Sequence, residues 1–300
     1  MEEKLYQACT DGEVEEVIKL LQNSQININW QNQNNYLRTP LYIACLIGRT
    51  EIVKLLLNDK RIDTNKADKS EETPLYIVCY NGSTEIVKLL LNDNRIDINK
   101  TTNDGSTPFY IACQKGHIEI VKLLLNDNRV DINKTTNDGW TPFYIACENG
   151  HLEIVKLLLN DQRIDINKAS NDGWTAFHIA CRNGHIEIVK LLLNDQRFDI
   201  NKTTNDGSTP FLVACGNGKT EVVKYLLGRG KEIDINKKDN DGKSGLDYAK
   251  ENGNTDIVKL IESFQMNPNE TRAKLTKEFV IRKFSIVKFL IISLFHQISI

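Results

Sequence analysis

The sequence repeats with a period of 34 residues, and this period constrains the fold more than any other feature. The register is marked by the dipeptide Thr-Pro at 39–40, 73–74, 107–108, 141–142 and 209–210, and Thr175-Ala176 fills the gap in the series. Ser244-Gly245 continues it after one inserted residue. A fixed period of this length is typical of arrays in which each copy contacts only its neighbours.

One copy, residues 103–136, is interpreted as a turn, two helices and an extended return. NDGSTP holds turn-forming residues and leads into a helix start. PFYIAC is short and apolar, which suits a brief helix packed on both sides. Gly116 follows, and it can adopt the positive φ that ends this helix. In HIEIVKLLLN, Ile118, Val121 and Leu124 recur at helical spacing. Since one unit cannot bury its own apolar face, stacked copies are predicted to form a linear solenoid.

The stretch GSTPFYIACQKGHIEIVKLLL resembles the ankyrin repeat, whose pattern is Gly-x-Thr-Pro-Leu-His-x-Ala-Ala-x-x-Gly-His-x-Glu-Val-Val-x-Leu-Leu-Leu. The resemblance implies an all-α ankyrin-repeat solenoid of stacked helix-turn-helix units with β-turn or hairpin fingers. We expect the array to span 1–265, with an irregular first unit at 3–35, regular units at about 36–241 and an imperfect last unit at 242–265, followed by a basic and apolar tail at 266–300.

The sequence departs from the ankyrin pattern at two kinds of position. Leu37 and Glu71 stand where the turn glycine belongs, which predicts distorted turns there. The histidine of the first helix is replaced by Tyr or Leu in most copies and is kept only at His178, which the resemblance implies bonds the Thr hydroxyl at the helix start.

Cysteine recurs in register with the repeat, and three copies add a histidine four residues later, in CQKGH, CENGH and CRNGH. Zinc would need four converging ligands, and a nucleophilic thiol would need exposure and a lowered pKa. Arg49, Ser83 and Lys219 replace the histidine in other copies, so no shared site is predicted. We interpret the thiols as small buried groups in place of the family's second Ala. His117, His151 and His185 resemble the family's Gly-His pair, whose ring bridges neighbouring units.

Composition and motifs exclude several classes of function. The formal net charge is -2 and the pI is about 6.3, so nucleic acid is not a predicted partner. No phosphate loop, His-Glu-x-x-His or Gly-x-Ser-x-Gly occurs, and we predict no catalytic residue, no metal site and no cofactor.

The N-terminus has no basic start followed by an apolar run, so no signal peptide is predicted. The odd number of cysteines also argues against a disulfide framework. We therefore expect a cytoplasmic protein with reduced thiols, with the nucleus as the alternative.

Two groups of positions vary between copies while the apolar positions barely change. One is the residue before the turn threonine, and the other is the pair after the cysteine. The resemblance implies that both line one concave face, where partners of such arrays dock. The predicted partner-binding residues are Arg38, Leu46, Glu72, Tyr80, Ser106, Gln114, Lys115, Trp140, Glu148, Trp174 and Arg182.

Trp140 and Trp174 are the strongest of these candidates. We expect exposed indoles at adjacent turn tips, and Trp is over-represented among residues that dominate binding energy. The alternative is that each indole lies flat on the neighbouring turn and shields its backbone.

Asn167 and Asn201 end the runs LNDQRIDIN and LNDQRFDIN, which are similar to sites that an asparaginyl hydroxylase modifies in ankyrin proteins. The alternative is that each Asn only braces its turn.

The repeats end after Met266. NPNETRAKLTKEF predicts a linker or a capping helix, and FSIVKFLIISLFHQISI has an apolar run shorter than the roughly 20 residues of a spanning helix. Three interpretations stay open for the final segment: a cap on the last repeat, a short basic-flanked membrane tail, or a misassigned end of the gene.

The sequence therefore predicts a monomeric, non-enzymatic module or adaptor inside the cell, with another protein as its partner. The alternative is a membrane-associated scaffold held by residues 279–300.

Overall fold

The computed structural model describes residues 1–229 and 233–279 of the chain. The chain forms two compact units, Met1–Asp165 and Ile166–Ile300. In the described residues both units consist of helices joined by turns and loops, and no strand longer than the single bridge between Asn32 and Arg38 occurs.

The first unit contains five successive helix pairs. Their bounds are α1 Glu2–Asp11, α2 Val14–Leu21, α3 Pro40–Ile47, α4 Thr50–Asn58, α5 Pro74–Asn81, α6 Thr84–Leu91, α7 Pro108–Lys115, α8 Ile118–Leu125, α9 Pro142–Glu148 and α10 Leu152–Asn160. Within this unit, successive odd-numbered helices, here called inner helices, pack against one another from α1 to α9, and each packs against its own even-numbered outer helix. This arrangement is the stacked helix-turn-helix array that the period predicted.

The second unit repeats the same plan with three pairs. Their bounds are α11 Ala176–Asn183, α12 Ile186–Leu192, α13 Pro210–Gly216, α14 Thr220–Arg229, α15 Gly245–Glu251 and α16 Thr255–Met266. Residues 268–279 are also helical.

The inner helices begin and end where the sequence motifs predicted. In α7, the Thr107 hydroxyl oxygen accepts a hydrogen bond from the backbone N–H of Tyr110 at 3.0 Å, and Pro108 occupies the first helical position. Gly116 ends the helix with a φ of +79°. Residues Pro108 to Cys113 are all buried, because neighbours surround this short helix on both sides.

The outer helices have one buried face only. In α8, Ile120, Val121 and Leu124 are fully buried, whereas Glu119 and Lys122 form an exposed ion pair of 2.7 Å. Such exposed pairs contribute about 0.5 kcal/mol or less. The apolar face therefore holds each outer helix against its inner helix, and the charged face remains in water.

The turns before the inner helices test the prediction made for Leu37 and Glu71. The glycines at this position have a φ of +78° to +84°, and Leu37 and Glu71 adopt +60° and +59°. The turn at Glu71 keeps the regular hydrogen bonds, with Asp68 N–H to Glu72 O at 3.0 Å, so the predicted distortion is wrong there. The turn at Leu37 is enlarged, because the corresponding bond runs from Asn32 N–H to Arg38 O, a longer span of chain.

The helix at 268–279 packs on the last pairs of the second unit. Leu275 is buried, the Thr276 hydroxyl donates to the carbonyl oxygen of Gly228 at 3.1 Å, and the ring of Phe279 lies 5.2 Å from that of Tyr225. Of the two interpretations of NPNETRAKLTKEF, the contacts of 268–279 favour a capping helix. The predicted boundary at 265 stays a prediction, and the segment after Phe279 lies outside the described residues.

Candidate protein-binding surface

The cysteine thiols are buried, as the sequence analysis predicted. All seven cysteines are free and buried. Burial raises the pKa of Cys9 to about 12 and that of Cys113 well above its ordinary value. The thiolate is the reactive form, and burial disfavours it at neutral pH. In the part of the chain that the structure describes, no group of three or more His, Cys, Asp or Glu side chains is arranged to hold a metal ion.

His117 and His151 bridge consecutive copies, as the resemblance implied. The Nε2 atom of His117 lies 3.0 Å from the carbonyl oxygen of Tyr80, and that of His151 lies 2.9 Å from the carbonyl oxygen of Gln114. His178 instead completes a capping box with Thr175, with 2.8 Å between its Nδ1 and the hydroxyl oxygen. These histidines are structural.

An Asp-x-Arg motif in the return loops forms a clamp that sequence analysis missed. The guanidinium of Arg95 pairs with Asp93 at 2.6 Å and donates to the carbonyl oxygen of Leu57, in the last turn of α4, at 2.8 Å. This bond satisfies a carbonyl that a helix end leaves unpaired. The repetition of Asp-x-Arg in the sequence could have revealed the clamp. The same bond to the preceding outer helix is made by Arg61, Arg129 and Arg163.

An asparagine in each return loop ties it to the next loop. The Asn99 amide donates to the carbonyl oxygen of Arg129 at 2.7 Å and accepts from the backbone N–H of Asp131 at 2.8 Å. Asn167 makes the same two bonds, to Arg197 at 2.7 Å and from Asp199 at 3.1 Å. Asn201 accepts from the Asp234 N–H at 3.4 Å. This geometry supports the bracing interpretation, while hydroxylation stays an untested prediction.

The predicted partner-binding residues at the turn tips of the first unit differ in their availability. The Arg38 guanidinium lies 5.3 Å from the ring centre of Tyr42, whose hydroxyl donates to Glu72 at 2.9 Å. Glu72 is half-buried, and burial raises the pKa of its carboxyl. Ser106 is only 2% exposed, with its hydroxyl donating to Asp104 at 3.0 Å. Ser106 is therefore unavailable to a partner, contrary to the prediction.

The predicted residues at the inner-helix ends of the first unit form a more open strip. Tyr80 is 43% exposed, and the Lys115 ammonium lies 4.3 Å from its ring centre. Leu46, Gln114 and Glu148 are half-buried. This strip offers one aromatic ring and one cation to a partner.

Trp140 and Trp174 are half-buried, not fully exposed as predicted. The Trp140 ring stacks on Tyr144 at 6.0 Å and 3°, and the Trp174 ring lies 5.8 Å from His178 at 59°. The reason is the spacing, since each partner ring lies four residues further along and therefore on the facing side of the inner helix. Each indole thus rests on its own repeat and keeps one part accessible.

The second unit contains a groove that two of the predicted residues line. The Arg182 guanidinium lies over the Trp174 ring at 5.5 Å, and both residues border an open groove of about 420 Å³. Its other lining residues come from the next two copies: Ser208, Leu212, Val213, Gly216, Asn217, Tyr248 and Asn252. We call this feature the Trp174 groove. It unites a tip residue and a helix-end residue in one concave site.

Helix capping fixes the walls of the Trp174 groove. Thr175 and Ser244 start α11 and α15 with capping boxes, and Thr209 with Pro210 starts α13. Leu212 is buried at 1% exposure and forms part of a closely packed wall. The groove is thus a product of three consecutive inner helices whose start points the sequence sets.

None of the described helices is both long and apolar enough to cross a lipid bilayer.

Comparison with known families agrees with this architecture. The family described as ankyrin repeats (3 copies) matches residues 3–68, 51–136, 125–204 and 196–272. No curated protein matches the chain. Stacked helix pairs and glycine-containing turns define an ankyrin-repeat solenoid in each unit. The chain belongs to the ankyrin repeat family, whose members are general protein–protein interaction modules and typically have no enzymatic activity.

Proposed function

We propose that this chain acts inside the cell as a monomeric protein-binding module or adaptor, with its partner docking on the turn tips and inner-helix ends. The observation that carries the proposal is the Trp174 groove, where an indole, an exposed guanidinium and apolar walls meet in one concavity. Aromatic and Arg side chains are the ones enriched at the energetic centres of interfaces. The alternative of a membrane-held scaffold depends on 279–300, which lies outside the described residues except for Phe279.

The test compares partner capture with stability. Crosslinking and affinity capture from the native cell should recover a partner with the wild-type chain and lose it with the Trp140→Ala, Trp174→Ala double variant. The third tryptophan provides the control, because Trp30 is also half-buried and packs on Tyr6 at 6.1 Å but lies outside the predicted surface. Trp30→Ala should keep the partner.

Thermal unfolding of the same variants decides between binding and packing. We expect the double variant to lower the midpoint no more than Trp30→Ala does. If the double variant unfolds at a much lower temperature, or if it still captures the partner, the two tryptophans are structural and the proposal fails.

A further inference from the structure

Arg182 has no acidic partner among the described residues, in contrast to the arginines of the return loops. Within the described residues, each return-loop arginine pairs with the Asp two residues before it, as in Arg197 with Asp195 at 2.6 Å. Arg182 is exposed, and its guanidinium rests on Trp174 with no carboxylate within 4.0 Å among those residues. Stacking on the indole holds this cation in place, so a carboxylate that arrives there meets a positioned, uncompensated charge.

The space beside this cation exists because of one glycine. Gly216 ends α13 at the position where other copies carry Leu46, Tyr80, Gln114, Glu148 or Arg182. A Cβ on Gly216 would lie 3.6 Å from Tyr248, an ordinary contact. The backbone therefore tolerates a side chain at 216, and its absence opens the Trp174 groove between two aromatic rings.

The opposite wall has its charges satisfied. The Tyr248 hydroxyl donates to Asp239 at 2.5 Å, and Lys243 pairs with Glu251 at 2.7 Å. The uncompensated charge at the groove is therefore that of Arg182, and it is positive.

Two amides offer acceptors to an extended backbone. Asn217 and Asn252 use their amide nitrogens on their own helices, donating to the carbonyl oxygens of Val213 at 2.8 Å and Tyr248 at 3.1 Å. Their Oδ1 atoms accept no hydrogen bond from the described residues. These oxygens suit the N–H groups of a peptide, because backbone N–H groups removed from water need acceptors.

We propose that the Trp174 groove binds an extended segment of the partner protein in which an Asp or Glu side chain lies beside a large apolar side chain. The carboxylate pairs with Arg182, and the apolar side chain lies between Trp174 and Tyr248 where Gly216 leaves room. A volume of about 420 Å³ is sufficient for such side chains. This inference rests on the proposed function, since it names the chemistry of the protein segment that is bound.

The test uses a displayed library of random peptides selected on the full chain. We expect the selected peptides to share an acidic residue within two positions of a Trp, Phe, Leu or Ile. Affinity of a selected peptide should fall about tenfold or more with Arg182→Glu and recover when its acidic residue is changed to Lys. Gly216→Gln should abolish binding by filling the groove with a side chain that Gln114 already presents at that position in another copy.

The matched control is Lys122→Ala, which removes an exposed cation from the outer helix α8 of the first unit, outside the predicted surface, and should leave peptide affinity unchanged. The inference is overturned if selection yields no peptide, if the peptides lack an acidic residue, or if Arg182→Glu and Gly216→Gln bind them as well as the wild type does. Peptides that bind elsewhere on the inner helices would overturn this inference while supporting the proposed function.

Discussion

Arg95 holds Asp93 with two parallel contacts, since its Nε lies 2.9 Å from Oδ1 and its Nη2 lies 2.6 Å from Oδ2. The same Nη2 reaches the carbonyl oxygen of Leu57 in the preceding copy at 2.8 Å. The pair therefore works as one clamp that joins a return loop to the helix end beside it. Bidentate geometry makes it stronger than an ordinary surface ion pair.

Arg95→Ala should lower the free energy of unfolding by about 1 kcal/mol, because the clamp loses its ion pair and the helix carbonyl loses a donor. The Arg95 side chain is 38% exposed, and solvent screening limits the effect. Lys88→Ala is the matched control, since it removes only the exposed pair with Glu85 at 2.7 Å. Urea denaturation measures the free energy of unfolding of both variants. Equal losses would show that the clamp stabilises the chain no more than an ordinary surface ion pair does.

The clamp should also make stability depend on acid. Hydrogen bonding to the Arg95 side chain lowers the pKa of Asp93 below its ordinary 3.8. The stabilisation is therefore present above about pH 4 and is lost as the pH falls through the folded-state pKa. We expect wild type to exceed Asp93→Asn in thermal midpoint at pH 7, with the gap closing below pH 4. A gap that persists at lower pH would contradict this assignment.

Glu71→Gly should stabilise the chain by about 1 kcal/mol, because it relieves a non-glycine residue at a φ of +59°. The reverse change, Gly105→Ala, should destabilise it by more than about 1 kcal/mol, since its Cβ would lie 2.7 Å from the side-chain oxygen of Asn137. Gly48→Ala isolates the backbone effect, because no atom lies within 4 Å of that Cβ. Urea denaturation should rank Gly105→Ala as the more damaging of the two alanine changes.

His178 should make the protein lose stability between pH 6.5 and about 4. Burial lowers its pKa from 6.5 to about 4, so the unfolded chain binds the proton first as the pH falls. The stability present above pH 6.5 decreases by roughly 1.4 kcal/mol per pH unit in this window. His178→Tyr, the residue found in four other copies, should flatten the profile, as thermal unfolding at several pH values can show. An unchanged slope would mean that other groups govern it.

The thiols should be unreactive in the folded protein. We expect a thiol reagent at pH 8 to modify none of the seven cysteines until denaturant is added. Cys113→Ala should cost about 1 kcal/mol for the lost packing, and Cys113→Ser should cost more, because it buries a hydroxyl. Rapid labelling of any one cysteine in the native state would show that this cysteine is exposed and reactive and does not serve only as a buried packing group.

Asn167 should be found unmodified in protein isolated from its native cell. Both ends of its amide are engaged by the next loop, so a hydroxylase would first have to open that loop. Peptide mass spectrometry checks this, and a peptide of 159–167 heavier by one oxygen atom would establish modification instead.

Structural features that are set by residues within a single repeat could be predicted from the sequence. The capping threonine, the terminal glycine and the buried thiol follow from local pattern, which is why α7 begins at Pro108 and ends at Lys115, just before Gly116. The regular turn at Glu71 was not predictable, because it is supported from the next copy, where the Asn103 N–H donates to Ser70 at 3.2 Å.

The candidate site was predicted only in part. Variation between copies was interpreted as exposure, which selected Trp174 and Arg182, two residues that line the groove, but also Ser106, whose buried hydroxyl bonds Asp104. The Trp174 groove needs a missing side chain at Gly216 beside Tyr248 in the next copy. Such a concavity is a property of three copies together, and no single motif encodes it.

The asparagine bonds between return loops make the copies interchangeable. Asn65 engages Arg95 and Asp97 through the same atoms that Asn99 uses on Arg129 and Asp131. Removal of one complete period would bring an identical donor and acceptor into place, and duplication of one would do the same. Loss or gain of a whole repeat would therefore change the length of the binding surface while the same asparagine hydrogen bonds continued to join neighbouring copies.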